Sequence, residues 1–168
     1  MDTTTNLGRG ALLMAVAGVA FIGYGIVFLI WNFVAGGFEL GVDTLNGVSR
    51  ADLNAIEPGI AHYISHLHVA TAAFIITTGI AVAGLSWFGV GRGEWWAWVT
   101  AVLSGVLGLA LALPMHWMDL FEHEWVTHLG PIYLAAVVFV VGAAYAYQAI
   151  RFTTTAVSRP ASERAAGR

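Results

Sequence analysis

The run ALLMAVAGVAFIGYGIVFLIWNF, residues 11–33, decides how this chain must be read. Its twenty-three positions carry no charge, and about 20 apolar residues wound into a helix cross the roughly 30 Å of a bilayer's hydrocarbon. A cleaved leader is the competing reading of an N-terminal run. A leader's apolar core spans only about 7 to 15 residues behind a more basic start. Here a single arginine, Arg9, precedes a longer run, so the stretch reads as a first membrane-spanning helix.

Three more apolar stretches follow, over residues 60–88, 95–116 and 129–150. Together the four leave no room for a second folded unit. The composition agrees: 58% hydrophobic, 10% charged and a mean hydropathy of +0.76, against about 25% charged residues in soluble domains. The expected fold is all-α, an integral membrane four-helix bundle over residues 1–152, with a polar cytoplasmic tail at 153–168. Its first obligatory partner is the lipid bilayer.

The connections carry the turn chemistry. Residues 35–59 are long, acidic and broken by glycines, and must lie outside the hydrocarbon. Within them Ser49 can cap a short surface helix over residues 50–56, because its hydroxyl can satisfy an orphan backbone N–H. Gly89 to Glu94 is a tight turn. Ser104, Gly108 and Ala112 form a small-xxx-small pattern that admits a close neighbouring helix. Pro114 is expected to kink or end the third helix before His116. Residues 117–128 mix Asp119, Glu122, His123 and Glu124 with aromatic and apolar neighbours, which suggests a short interfacial helix between spans three and four. Pro131 suits a first helical turn, where its missing N–H costs little.

Cysteine is absent, which excludes disulfides, thiol catalysis and Cys-ligated metal centres. Basic residues are scattered near the membrane ends, so no nucleic-acid partner is indicated. They inform topology instead. Arg9, Arg92, Arg151, Arg159, Arg164 and Arg168 fall on one side of a four-span arrangement, and only Arg50 falls on the other. By the positive-inside rule both termini are cytoplasmic, and the location is a cell membrane. All six histidines then lie at the extracytoplasmic end.

Chemistry concentrates in Ala61-His62-Tyr63-Ile64-Ser65-His66-Leu67-His68. At about 100° per helical residue, His62 and His66 stand one above the other, while His68 points about 160° away from His66. One helix cannot bring all three to one ion. A closed site needs His116 from the third helix, or Glu122, His123, Glu124 or His128 from the segment after it. Imidazole and carboxylate suit a divalent transition metal without selecting one. Haem b is a narrower version, with His66 or His68 facing His116 as axial ligands. A polar collar satisfied by water and headgroups, and a proton-responsive cluster, explain the same residues.

Gly91-Arg92-Gly93-Glu94-Trp95-Trp96-Ala97-Trp98 and His128-Leu129-Gly130-Pro131-Ile132-Tyr133-Leu134 resemble segments of small four-span prokaryotic membrane proteins. The resemblance implies helix boundaries and packing, and no activity. A fainter one is to the sterol-isomerase-like four-helix fold, in which intramembrane His and Glu residues transfer protons; here the carboxylates lie in loops. Three functions are therefore expected to compete. The first is a binding or accessory subunit holding a metal ion, cofactor or partner at the outer face. The second is a small membrane enzyme using histidine as general acid or base on a lipid-like substrate. The third is a packing subunit that forms homo-oligomers or joins other membrane subunits through its small-residue faces. A pocket reaching the histidine face favours the enzyme, and a solid core favours the accessory subunit.

Overall fold

The structure, a computed structural model, describes residues 2–118 and 124–158, with side chains as far as residue 151. It is all-α apart from one small hairpin. In chain order the elements are α1 (Asn6–Val34), β1 (Thr44–Leu45), β2 (Val48–Ser49), α2 (Arg50–Ile56), α3 (Pro58–Gly84), α4 (Trp95–Trp117) and α5 (Gly130–Ser158). A single π turn over Leu85–Gly89 and a 3-10 turn over Val90–Arg92 join α3 to α4. Four of the described helical stretches, Asn6–Val34, Pro58–Arg92, Trp95–Trp117 and Gly130–Arg151, are long and apolar enough to cross a membrane.

The central helix is α1. Gly10, near its start, meets Gly142 and Ala146 of α5, while Gly18 and Gly25 meet Gly79, Ala83 and Ile76 of α3. These partners run backwards along their helices as α1 runs forwards, so α1 is antiparallel to both. At Gly18 an added Cβ would lie 2.7 Å from the Ala83 nitrogen and 2.8 Å from the Gly79 oxygen. The two backbones touch there, which only small residues permit. Ala11, Met14, Ala17, Val82, Val90, Ala97, Ala101 and Phe139 form the core at the end that also holds the chain's start.

Helix α4 joins this core through its first half only. Ala97, Ala101 and Gly105 are its buried residues, and Trp98 donates its indole N–H to the Ala143 carbonyl at 3.0 Å. The small-xxx-small expectation fails here. An added Cβ at Gly108 meets nothing within 4 Å, and the close approach is instead at Gly105, against the Phe139 ring at 2.9 Å. Gly105 lies about 100° around the helix from the Ser104 row, and spacing alone does not say which row faces inward.

Other boundaries differ in instructive ways. Pro114 lies inside α4, which continues to Trp117; the Met118 N–H still reaches the Pro114 carbonyl at 3.0 Å. Losing one N–H near the C-terminus does not stop the helix when the following turn keeps its own bonds. Helix α5 runs past residue 150 to Ser158, so the expected tail begins as helix, and its remainder, 159–168, lies outside the described residues. The described part of the segment between α4 and α5, residues 124–129, is turn rather than interfacial helix. Asp119, Glu122 and His123 lie outside the described residues. The expected surface helix is present as α2, with Ser49 and Asp52 forming a reciprocal capping box.

Candidate functional site

The site is assembled at the end of the bundle where α1 and α4 finish and α3 and α5 begin. After Ala35 the chain passes Gly36 and Gly37 and makes a tight reversal at residues 38–42. There the Phe38 N–H donates to the Val42 carbonyl at 2.9 Å, and the Val42 N–H donates to the Glu39 carbonyl at 3.0 Å. Gly41 holds a φ of +77°, a conformation that disfavours any Cβ. The reversal buries Phe38 and Val42 and leaves Glu39 directed at the bundle.

The Glu39 carboxylate stands between two imidazoles from different elements. Its Oε2 lies 3.3 Å from Nδ1 of His128, just before α5, and its Oε1 lies 3.9 Å from Nε2 of His68 on α3. Burial raises the Glu39 pKa above the ordinary carboxylate value, because desolvation penalises the charged form. The His68 ring meets Phe28 of α1 edge-on at 5.3 Å, and the His128 ring is 5.5 Å from that of His116. Nδ1 of His116 lies 3.0 Å from the Ala112 carbonyl one turn back. Three imidazoles and one carboxylate are thus gathered at one place.

A second polar group braces this end. Arg50, at the start of α2, donates from Nη1 to the Asn32 carbonyl at 3.0 Å and from Nη2 to Asn32 Oδ1 at 3.1 Å. Asn32 Nδ2 donates to Ser65 Oγ at 2.8 Å. The buried Asn32 amide therefore ties α1, α2 and α3 together. Glu124 has a local role: its carboxylate accepts the Val126 N–H at 2.9 Å, the Thr127 hydroxyl at 2.7 Å and the Thr127 N–H. These bonds hold its pKa at about 2, and they close the turn before α5.

Of the expected site residues, the structure brings His68, His116 and His128 together. It does not bring in His62 and His66, which are exposed on α3, with His66 stacked on Tyr63 at 6.4 Å. Glu124 faces its own turn. Among the described residues, no group of three or more His, Asp or Glu side chains is already disposed to hold a metal ion. The sequence reading missed Glu39 and Asn32. The available signal for Glu39 was an acid set between Phe38 and Leu40 and bracketed by Gly36, Gly37 and Gly41, a hinged turn with apolar shoulders rather than an open acidic loop.

Beside the cluster the second half of α4 diverges from α5. The gap is a cleft of about 520 Å³, lined by residues including Val106, Leu113, Trp117, Tyr133 and Phe139. Near the C-terminal end of α4 the Trp117 indole N–H donates to the Tyr133 hydroxyl at 2.6 Å. No family model, curated protein or solved structure matches this chain.

Proposed function

We propose that this is a multi-pass membrane protein with both termini in the cytoplasm, acting as a binding subunit through the acid and imidazole centre at its extracytoplasmic end. The orientation rests on the arginine distribution. The aromatic residues support the same frame. Trp95, Trp98 and Tyr147 cluster at one end with Arg151 beside them, and Trp117 bonds Tyr133 at the other. From Trp98 to Trp117 the helix rises about 28 Å at roughly 1.5 Å per residue, close to the hydrocarbon thickness.

The observation that carries the binding reading is the placing of one half-buried carboxylate against imidazoles from two separate elements. Such donors take cations, and the donor types suit a divalent transition metal. Because no ready-made ligand set stands open among the described residues, binding a metal at this centre requires the Glu39 contacts to rearrange around it. The test is titration of the purified protein with Zn²⁺, followed by metal analysis. His128→Ala and His68→Ala are expected to abolish stoichiometric binding, and His62→Ala and His66→Ala to leave it unchanged. A parent protein that takes up no zinc sinks the metal form of the proposal, and equal loss in His62→Ala moves the site elsewhere.

One observation favours the second reading, an enzyme acting on a lipid-like substrate. The α4–α5 cleft is apolar and ends at Trp117, one residue from His116. Its apolar lining suits such a substrate, with His116, which neighbours the lining residue Trp117 but does not itself line the cleft, as the general base. Filling the cleft with Ala136→Phe is expected to deplete co-purifying lipid; unchanged lipid content removes this support.

A further inference from the structure

We propose that one anionic phospholipid binds at the end of the bundle opposite the imidazoles, with its hydrocarbon in a second cleft between α4 and α5 and its phosphate on Arg151. Such a site rests on the membrane-spanning reading and takes nothing from the imidazole centre. The cleft adjoins the larger one at Val106, Phe139 and Val140 and runs from there to Trp98 and Tyr147. Val102 and Ala144 complete its apolar walls.

Its dimensions select the occupant. From Trp98 to Val106 α4 rises about 12 Å at roughly 1.5 Å per residue, so a volume of about 320 Å³ is spread over a section of about 27 Å². A helix about 10 Å across with its side chains needs roughly 80 Å², and the cleft cannot seat one from a second copy. Hydrocarbon chains with carbons about 4 Å apart need roughly 15 Å² each. The section is therefore that of the two chains of one phospholipid. The length agrees, since one leaflet supplies about half of the roughly 30 Å hydrocarbon core.

The end of the cleft selects the headgroup. Trp95 stacks on Trp98 with ring centres 4.9 Å apart, and the Tyr147 ring lies 5.3 Å from that of Trp98. The Arg151 guanidinium carbon sits 5.8 Å from the centre of the Tyr147 ring, and Nη1 donates to the Tyr147 hydroxyl at 3.1 Å. One wall thus passes from apolar side chains to indole and phenol and then to an exposed guanidinium, which closes the apolar stretch of α5. The planar fork of arginine matches a phosphate. Arg92, just before α4, and Arg9, beside the Gly10 contact with Ala146, lie at the same end with Asp2 and Glu94. The described residues there are net positive, which favours a lipid with net negative charge.

The test titrates the full-length protein in mild detergent with dioleoyl phosphatidylglycerol or dioleoyl phosphatidylcholine and counts bound lipid by native mass spectrometry. One phosphatidylglycerol is expected to bind at a concentration about fivefold lower than phosphatidylcholine, the factor carried by one basic side chain at an anionic surface. Arg151→Gln should remove that preference and Arg151→Lys should keep it. Ala144→Phe, at an exposed position on the cleft wall, should abolish binding of both lipids, with Ala144→Leu as the milder variant should the first fail to fold. Ala136→Phe, which fills the larger cleft, should leave binding unchanged.

Equal binding of the two lipids, or a preference that survives Arg151→Gln, would overturn the headgroup site. Lipid retained in both folded Ala144 variants, or lost in Ala136→Phe, would overturn the placing of the chains. A lipid-free dimer broken by Ala144→Phe would give the cleft to a second copy and overturn the lipid. A chain that stays dispersed in buffer without detergent would refute the membrane reading itself, whereas the other outcomes refute the lipid site alone.

Discussion

The sharpest consequence of the packing concerns two glycines on the same helix. Gly18 and Gly23 are both in α1, five residues apart, yet an added Cβ meets backbone at the first and open space at the second. At Gly18 the approach to the Ala83 nitrogen is 2.7 Å, about 0.7 Å inside ordinary contact, and a separation of that order forfeits a quarter to a half of the dispersion well for each atom pair along the crossing. The obstructing atoms are main chain and cannot rotate aside. Gly18→Ala is therefore expected to cost about 1–3 kcal/mol, the range for overpacking a well-filled core. Gly23→Ala should cost nothing and gain up to about 1 kcal/mol, because glycine in a helix interior is the less favourable residue.

The assay is reversible unfolding in mixed micelles, followed by helical circular dichroism as denaturing detergent is raised. The expected result is a midpoint lowered in Gly18→Ala and held or raised in Gly23→Ala. Gly10→Ala should behave like Gly18→Ala, since its Cβ would lie 2.5 Å from the Ala146 nitrogen. If Gly18→Ala unfolds with Gly23→Ala, the α1 and α3 backbones are not in contact and α1 is not the central helix.

Three further outcomes follow from the end of the bundle that carries the imidazoles. Asn32→Leu removes the Oδ1 acceptor of Arg50 Nη2 and the Nδ2 donor to Ser65 Oγ, while the main-chain carbonyl still accepts from Nη1, and should cost about 1–3 kcal/mol, the range for losing hydrogen bonds to neutral and charged partners; the same unfolding assay reads it, and a neutral result would mean that water replaces the amide. Ser49→Ala removes the capping box of α2 and should cost about 0.5–2 kcal/mol, seen as faster amide exchange over residues 50–56, with unchanged exchange counting against the cap. Glu124 titrates at about 2 in the folded chain against 4.5 for the free side chain. Its stabilising bonds are therefore complete above about pH 4.5 and are lost as pH falls toward 2. Parent and Glu124→Gln should differ in stability near neutrality and converge in that window; a constant difference across it would refute the assignment.

The four long helices were legible because hydropathy over some twenty residues is a property of composition and survives ignorance of the partners. The small helix α2 was legible for a different reason: Ser49 and Asp52 sit at capping-box spacing, a purely local device. What failed needed knowledge of neighbours. All four long helices are apolar around most of their circumference, so nothing local marks α1 as central or turns Gly105 rather than Gly108 inward. The hairpin at Leu45 to Val48 was marked by its Asn-Gly pair, with φ of +49° and +80°, a strong signal for this turn. Strands two residues long offer no alternation to support it.

The histidines show the same division within a single helix. Periodicity correctly separates His62 and His66 from His68, because residue spacing fixes which side chains share a face. It cannot say which face looks inward. The i, i+4 pair is the conspicuous feature in the sequence, yet its members are exposed, and His68 is turned toward Phe28 and Glu39. That choice is made by α1 and by the reversal at residues 38–42, whose geometry depends on a left-handed Gly41. A carboxylate twenty-nine positions before its imidazole partner, delivered by a turn rather than by a helix, leaves no periodic trace. For this chain the site residues that hydropathy and helix phase could find are those already carried on helices, and the acid that completes the centre is the one carried on a loop.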